Sequence, residues 1–149
     1  MSRRRQIEMS DAEVLAFLDE ERVVTCATHG PRGWPHLMPL WFLVRDREIW
    51  GWTFAKSQKV VNLERDPRAT LQVEAGTEYH ELRGVMLECD TVVHRDTPVV
   101  QAFGEELFLR YAGNAASEMV AAQAPKRVAL QFVERRRATW DHRKLDGVY

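Results

Sequence analysis

Cysteine is almost absent. Cys26 and Cys89 are the two thiols in 149 residues, far apart and each inside a strand-like run. That excludes a disulfide-stapled scaffold and suits two buried thiols in a reducing, cytoplasmic setting. Eight glycines and six prolines are too few for a fibrous or low-complexity chain. Long apolar runs are also missing: the longest, residues 37–44, has eight residues and contains Pro39, against the roughly 20 that a membrane-crossing helix needs. Charge of one sign is lacking too. Lys and Arg number 21 against 22 Asp and Glu, a formal net charge of -1, so no strong overall field favours nucleic acid or an anionic membrane. The basic runs at residues 3–5 and 135–137 are brief, and an acidic amphipathic segment follows the first where a secretory signal would need an apolar core. Neither a membrane nor a nucleic-acid partner is expected, and any bound anion must meet a local cluster.

Catalytic signatures are equally sparse. The five histidines are scattered, and no HxxxH, CxxC or HExxH spacing gathers metal ligands. No GxSxG elbow, GxGxxG turn or P-loop occurs. No metal, hydrolytic triad or Rossmann-type nucleotide site is therefore expected. What is present is an ordinary globular composition, 45% hydrophobic and 29% charged. At this length one domain over residues 1–149 is expected, burying roughly 70% of the unfolded chain's surface.

Ser10-Asp11-Ala12-Glu13 is a capping-box pattern, and Val14, Leu15, Phe17 and Leu18 recur at helical spacing, predicting a helix over residues 10–20. Two apolar runs, residues 22–28 and 36–44, flank the turn residues 29–33 and predict a hairpin. Residues 45–48 turn into an aromatic strand, 49–54, so three consecutive antiparallel strands are expected. A short helix then ends at Pro67, and strands follow at 69–74 and 82–94, where Gly84 marks a bulge or a close backbone approach. Thr97-Pro98 reads as a helix cap with Val99, Phe103, Leu107 and Tyr111 as its stripe; an alanine-rich helix and a last strand with Val128, Leu130 and Phe132 complete the chain. The fold class is mainly β with flanking helices, a six-stranded antiparallel split β-barrel.

The most informative segment is Thr53-Phe54-Ala55-Lys56-Ser57-Gln58-Lys59, where a strand ends and a helix begins between two lysines. First-turn N–H groups lack intrahelical partners, Ser57 can cap or donate its hydroxyl, and Lys56 and Lys59 supply full charges. The helix dipole contributes about 0.3–1 kcal/mol, whereas an ammonium at ~4 Å contributes up to about 4 kcal/mol before desolvation, so the lysines dominate anion binding. Upstream, Pro35 and Pro39 cannot donate ladder hydrogen bonds, and the strand carrying them is expected to lie beside residues 50–54 at an opening in the barrel. Free backbone groups at that opening suit a flat heterocycle.

Residues 33–42, 56–71 and 82–85 together resemble the FMN-binding split-barrel superfamily, the pyridoxamine 5'-phosphate oxidase-like proteins, over nearly the whole chain. The ending, residues 139–149, is similar to the tails of members that use the deazaflavin coenzyme F420. That resemblance implies a cytoplasmic homodimer with the cofactor at the subunit interface, its phosphate held by Lys56, Ser57 and Lys59. Pro39, Leu40 and Trp41 would lie along the ring, Trp52 and Thr53 would approach its edge, and Arg68 would assist the acidic tail. Tyr79, His80, Trp140, Asp141 and His142 would close the pocket from the opposite subunit. The arginine-rich C-terminal motif of pyridoxamine phosphate oxidase itself is missing, which argues against vitamin B6 synthesis. The implied activity is an F420-dependent reductase passing a hydride to a small conjugated substrate. FMN in the same cradle, or a binding or carrier protein without turnover, are the alternatives, and the catalytic proton donor is unassigned among Tyr79, His36 and His142.

Overall fold

A computed structural model describes residues 2–148, so Tyr149, the end of the tail motif, lies outside the described residues. A four-residue helix, α1 (Arg3–Gln6), precedes α2 (Asp11–Glu20). The capping box forms: Glu13 N–H donates to Ser10 Oγ at 3.2 Å, and Ser10 N–H to Glu13 Oε2 at 2.7 Å. Val14, Phe17 and Leu18 form the buried stripe. The strands are β1 (Val24–His29), β2 (Pro35–Leu40), β3 (Phe42–Arg45), β4 (Glu48–Phe54), β5 (Arg68–Ala75), β6 (Arg83–His94) and β7 (Arg127–Asp141). Between them lie α3 (Gln58–Arg65), α4 (Thr97–Ala112) and α5 (Ser117–Gln123). Among the described residues no helix is long and apolar enough to cross a membrane.

Seven strands, not six, make one antiparallel sheet in the order β2-β1-β5-β6-β7-β4-β3. The expected single strand over residues 36–44 is two. Its first part pairs only with β1 and its second only with β4, so these two strands occupy opposite edges of the sheet with Trp41 alone between them. A single residue spans only about 3.6 Å, which forces the sheet to curl until its edges meet at Trp41. An unbroken apolar run gives no periodicity by which such a switch of partner could be read. The expectation that residues 35–41 pair with 50–54 is corrected accordingly: β4 pairs with β3 along Glu48–Gly51 and with β7 along Ile49–Phe54. Pro35 and Pro39 sit on an edge strand, where a missing N–H is tolerated.

The curled sheet encloses Val24, Leu71, Val73, Val85, Leu87, Leu130 and Phe132, and α2 and α3 add Phe17, Val60 and Leu63 to the same core. A second cluster joins Trp52 and Ala129 of the sheet to Val100, Phe103 and Leu107 of α4. The buried face of α4 carries Val100 rather than Val99, since the helix is turned so that Val100, Phe103 and Leu107 meet Trp52, and Asp96 rather than Thr97 is its N-cap. At Gly84 the ladder is regular and the irregularity falls between Glu88 and Cys89. Gly84 instead allows a close approach: a Cβ there would lie 2.3 Å from Trp140 Cζ2.

Candidate functional site

Beyond Gly51, β4 has no β3 partner, and β2 has none beyond β1. The two unpaired edges border a cleft of about 340 Å³ lined by Pro39, Leu40, Trp41, Trp52, Thr53, Lys59, Leu107, Phe108 and Arg127. Six of the residues expected to meet a ring and its phosphate therefore line one cavity. Its aromatic wall is self-supporting. Trp41 stacks on Tyr111 at 4.4 Å and meets Phe108 edge-on at 5.9 Å, while Phe108 meets Trp52 edge-on at 6.0 Å. Trp52 Nε1 donates to the Val100 carbonyl at 3.1 Å, which fixes the indole beneath α4.

Lys59 is 6% exposed, and its Nζ donates to Thr53 Oγ1 at 2.8 Å. No carboxylate pairs with it among the described residues, and burial pushes its ammonium below the ordinary lysine value. A buried cation with no counter-charge is costly to keep unless a ligand supplies the charge. Ser57 occupies the N-cap of α3 but makes no side-chain cap, and its Oγ is buried without a hydrogen-bond partner among the described residues. Lys56, next to it, is exposed. Ala55 N–H donates to the Lys126 carbonyl at 2.9 Å and ties this junction to the start of β7.

Arg127 was not singled out by the sequence. Its guanidinium carbon lies 4.4 Å from the Trp52 ring centroid and 3.7 Å from that of Phe54, and its Nε donates to Gln123 Oε1 at 3.0 Å. Only the register Phe54↔Arg127 brings it here. The sequence signal, a basic pair opening the last strand, has no local partner that could have marked it.

Arg68, Tyr79 and Trp140 lie outside this cleft within one chain. Arg68 pairs with Asp66 at 2.7 Å and borders a larger groove of about 470 Å³ with Glu88, Asp90 and Arg135. That groove's arginines are already neutralised, Arg135 by Asp90 at 2.7 Å, so its size does not mark it as an anion site. Tyr79 meets His142 edge-on at 4.7 Å, with His142 Nδ1 3.0 Å from the Tyr79 carbonyl, and Trp140 covers Gly84. His36 lies opposite Thr28 on β2, its Nδ1 buried without a partner. Burial pushes the thiols of Cys26 and Cys89 up to about 12, which leaves them unreactive as nucleophiles.

The sequence matches the family model described as pyridoxamine 5'-phosphate oxidase over residues 10–143. No curated protein matches. Among solved structures, a conserved hypothetical protein from Mycobacterium tuberculosis is 41% identical, with 100% of this chain and 95% of that chain covered and a TM-score of 0.91. An F420 reductase is 20% identical over 82% of this chain and 93% of its own, with a TM-score of 0.66. HutZ, the heme storage protein of Vibrio cholerae, is 12% identical over 87% and 92%, with a TM-score of 0.68. The last two likenesses are of fold alone.

Proposed function

We propose a function for a chain that belongs to the pyridoxamine 5'-phosphate oxidase family: it binds coenzyme F420 in the cleft of its split barrel and reduces a small conjugated acceptor. The observation that carries this reading is Lys59, a buried ammonium without a carboxylate among the described residues, on the same strand-to-helix junction as Ser57, whose buried hydroxyl has no hydrogen-bond partner among them. A phosphate supplies both missing partners, and the wall of Pro39, Trp41 and Phe108 suits a flat ring. When bound, reduced F420 supplies the hydride.

The chain's own share is to hold the phosphate, seat the ring against the open edges of β2 and β4, and exclude water with Trp41, Leu107 and Phe108. No carboxylate or histidine lines the cleft. None of the three candidates for moving a proton, Tyr79, His36 and His142, lines it; Tyr79 and His142 would reach it only from a second subunit, so the reading includes a homodimer. FMN in the same cradle is the alternative cofactor. A carrier without turnover is the second reading, favoured by the absence of a carboxylate or imidazole proton donor in the cleft and by the fold shared with a heme storage protein.

Side-by-side titration with F420 and FMN tests the cofactor. The Lys56→Ala/Lys59→Ala double variant should bind at least ~30-fold more weakly with an unchanged circular dichroism spectrum; equal affinity would reject the cradle. Oxidation of reduced F420 by a panel of enones and imines separates the reductase from the carrier, which would bind and never turn over.

A further inference from the structure

Successive residues of a strand face opposite sides. Lys59 bonds Thr53, whereas Arg127 lies over Trp52 and Phe54, so the two cations of the cleft sit on opposite faces of β4. They enter the one cleft from opposite sides of that strand. At Arg127 the guanidinium plane is held by two rings and by Gln123 through Nε, while Nη1 and Nη2 make no hydrogen bond to any described residue. No acidic side chain pairs with it among the described residues. A guanidinium placed over two rings and tied through Nε, with both terminal nitrogens unbonded, can meet a planar carboxylate bidentately.

We infer that Arg127 recognises a carboxylate in the cleft, a second anionic group distinct from the phosphate at Lys59, borne either by the cofactor's tail or by the acceptor. This rests on the functional reading above. It makes Arg127 a specificity-determining residue: F420, whose tail carries carboxylates, would be preferred to FMN, or an acid acceptor to its ester.

The test uses full-length wild type, Arg127→Gln and Arg127→Lys, the last keeping the charge but not the fork, so that a folding defect in the first does not decide the result. F420 and FMN are titrated by fluorescence, and cinnamate and methyl cinnamate are then titrated into the cofactor-loaded proteins. If the tail supplies the carboxylate, both variants lose about tenfold or more in affinity for F420 and none for FMN. If the acceptor supplies it, cofactor affinities stay put and a wild-type preference for cinnamate over its ester, about tenfold or more, vanishes in both variants. Variants that match wild type in all four titrations, or a wild type that shows neither preference, would overturn the inference while leaving the phosphate cradle standing. A wild type that binds neither cofactor would bring down the cradle as well.

Discussion

Lys59 is a cation that the fold works against. Burial lowers its proton affinity, the neighbouring Cys26 acts the other way, and Arg127 lowers it further. Its charged form is thus disfavoured in the ligand-free protein, and it contributes stability only as pH rises through its depressed value. Binding a phosphate reverses the preference, so binding takes up a proton at alkaline pH. Cofactor affinity should therefore begin to fall with rising pH before the 10.5 of an ordinary lysine, read as log Kd against pH. Lys59→Met removes a desolvated charge from beside Cys26 and fills the space with thioether. It should melt no lower than wild type while binding at least ~10-fold more weakly. A lower melting temperature together with retained binding would show that Lys59 serves the fold, not the ligand.

Helix α4 supplies the cleft wall, and one arginine docks it. Arg110 Nη1 donates to the Phe42 carbonyl at 2.6 Å, and its Nη2 to the carbonyls of Leu18 at 3.0 Å and Glu21 at 2.8 Å. Those last two are carbonyls at the end of α2, groups no intrahelical partner can satisfy, and a cation there also meets the negative end of the helix. Next to it, Tyr111 accepts from Phe42 N–H at 3.0 Å and stacks under Trp41. The crossover from β2 to β3 is thereby fixed against the helix. Arg110→Ala removes a donor from four carbonyls, those of Phe42, Leu18, Asp19 and Glu21, and should cost about 1–3 kcal/mol in urea unfolding. By loosening Trp41 it should also weaken cofactor binding several-fold, whereas an unfolding loss with full affinity would show that Trp41 needs no such support.

The two ends of the chain are knitted to one another. Asp141 N–H donates to the Ile7 carbonyl at 2.7 Å, Met9 N–H to Thr139 Oγ1 at 2.8 Å, and Lys144 Nζ to Glu13 Oε2 at 2.7 Å. Asp141 anchors the turn at His142–Leu145, where the Arg143 guanidinium holds its carboxyl below the ordinary 3.8. A carboxylate with a lowered folded value stabilises above its unfolded value, and that contribution disappears as pH falls through the folded one. Stability should then decline below about pH 4, and Asp141→Asn should flatten that decline in acid-unfolding curves. Assembly belongs here as well. Tyr79, Trp140 and His142 can serve the cleft only in a pair of subunits, so sedimentation should give a dimer. A monomer that bound cofactor tightly would remove them from the site.

How far the residues announced this arrangement depended on how locally each piece is made. The capping box at Ser10, the junction at Thr53–Lys59 and the edge position of Pro35 and Pro39 could be read in order along the chain, since each follows from neighbours a turn or a strand residue away. The break at Trp41 could not, because an unbroken apolar run is silent about which partner each half will take. Arg127 escaped for the same reason: nothing beside it in sequence signals the rings it covers. Local chemistry was enough to mark a strand-to-helix junction that carries two lysines and a serine. Only the curling of the sheet, which set residues 39–41 near residues 52–53 with Leu107 and Phe108 of α4 beside them, placed that junction's Lys59 in a cleft with a second cation, Arg127, since contacts between distant segments depend on which sheet edges meet.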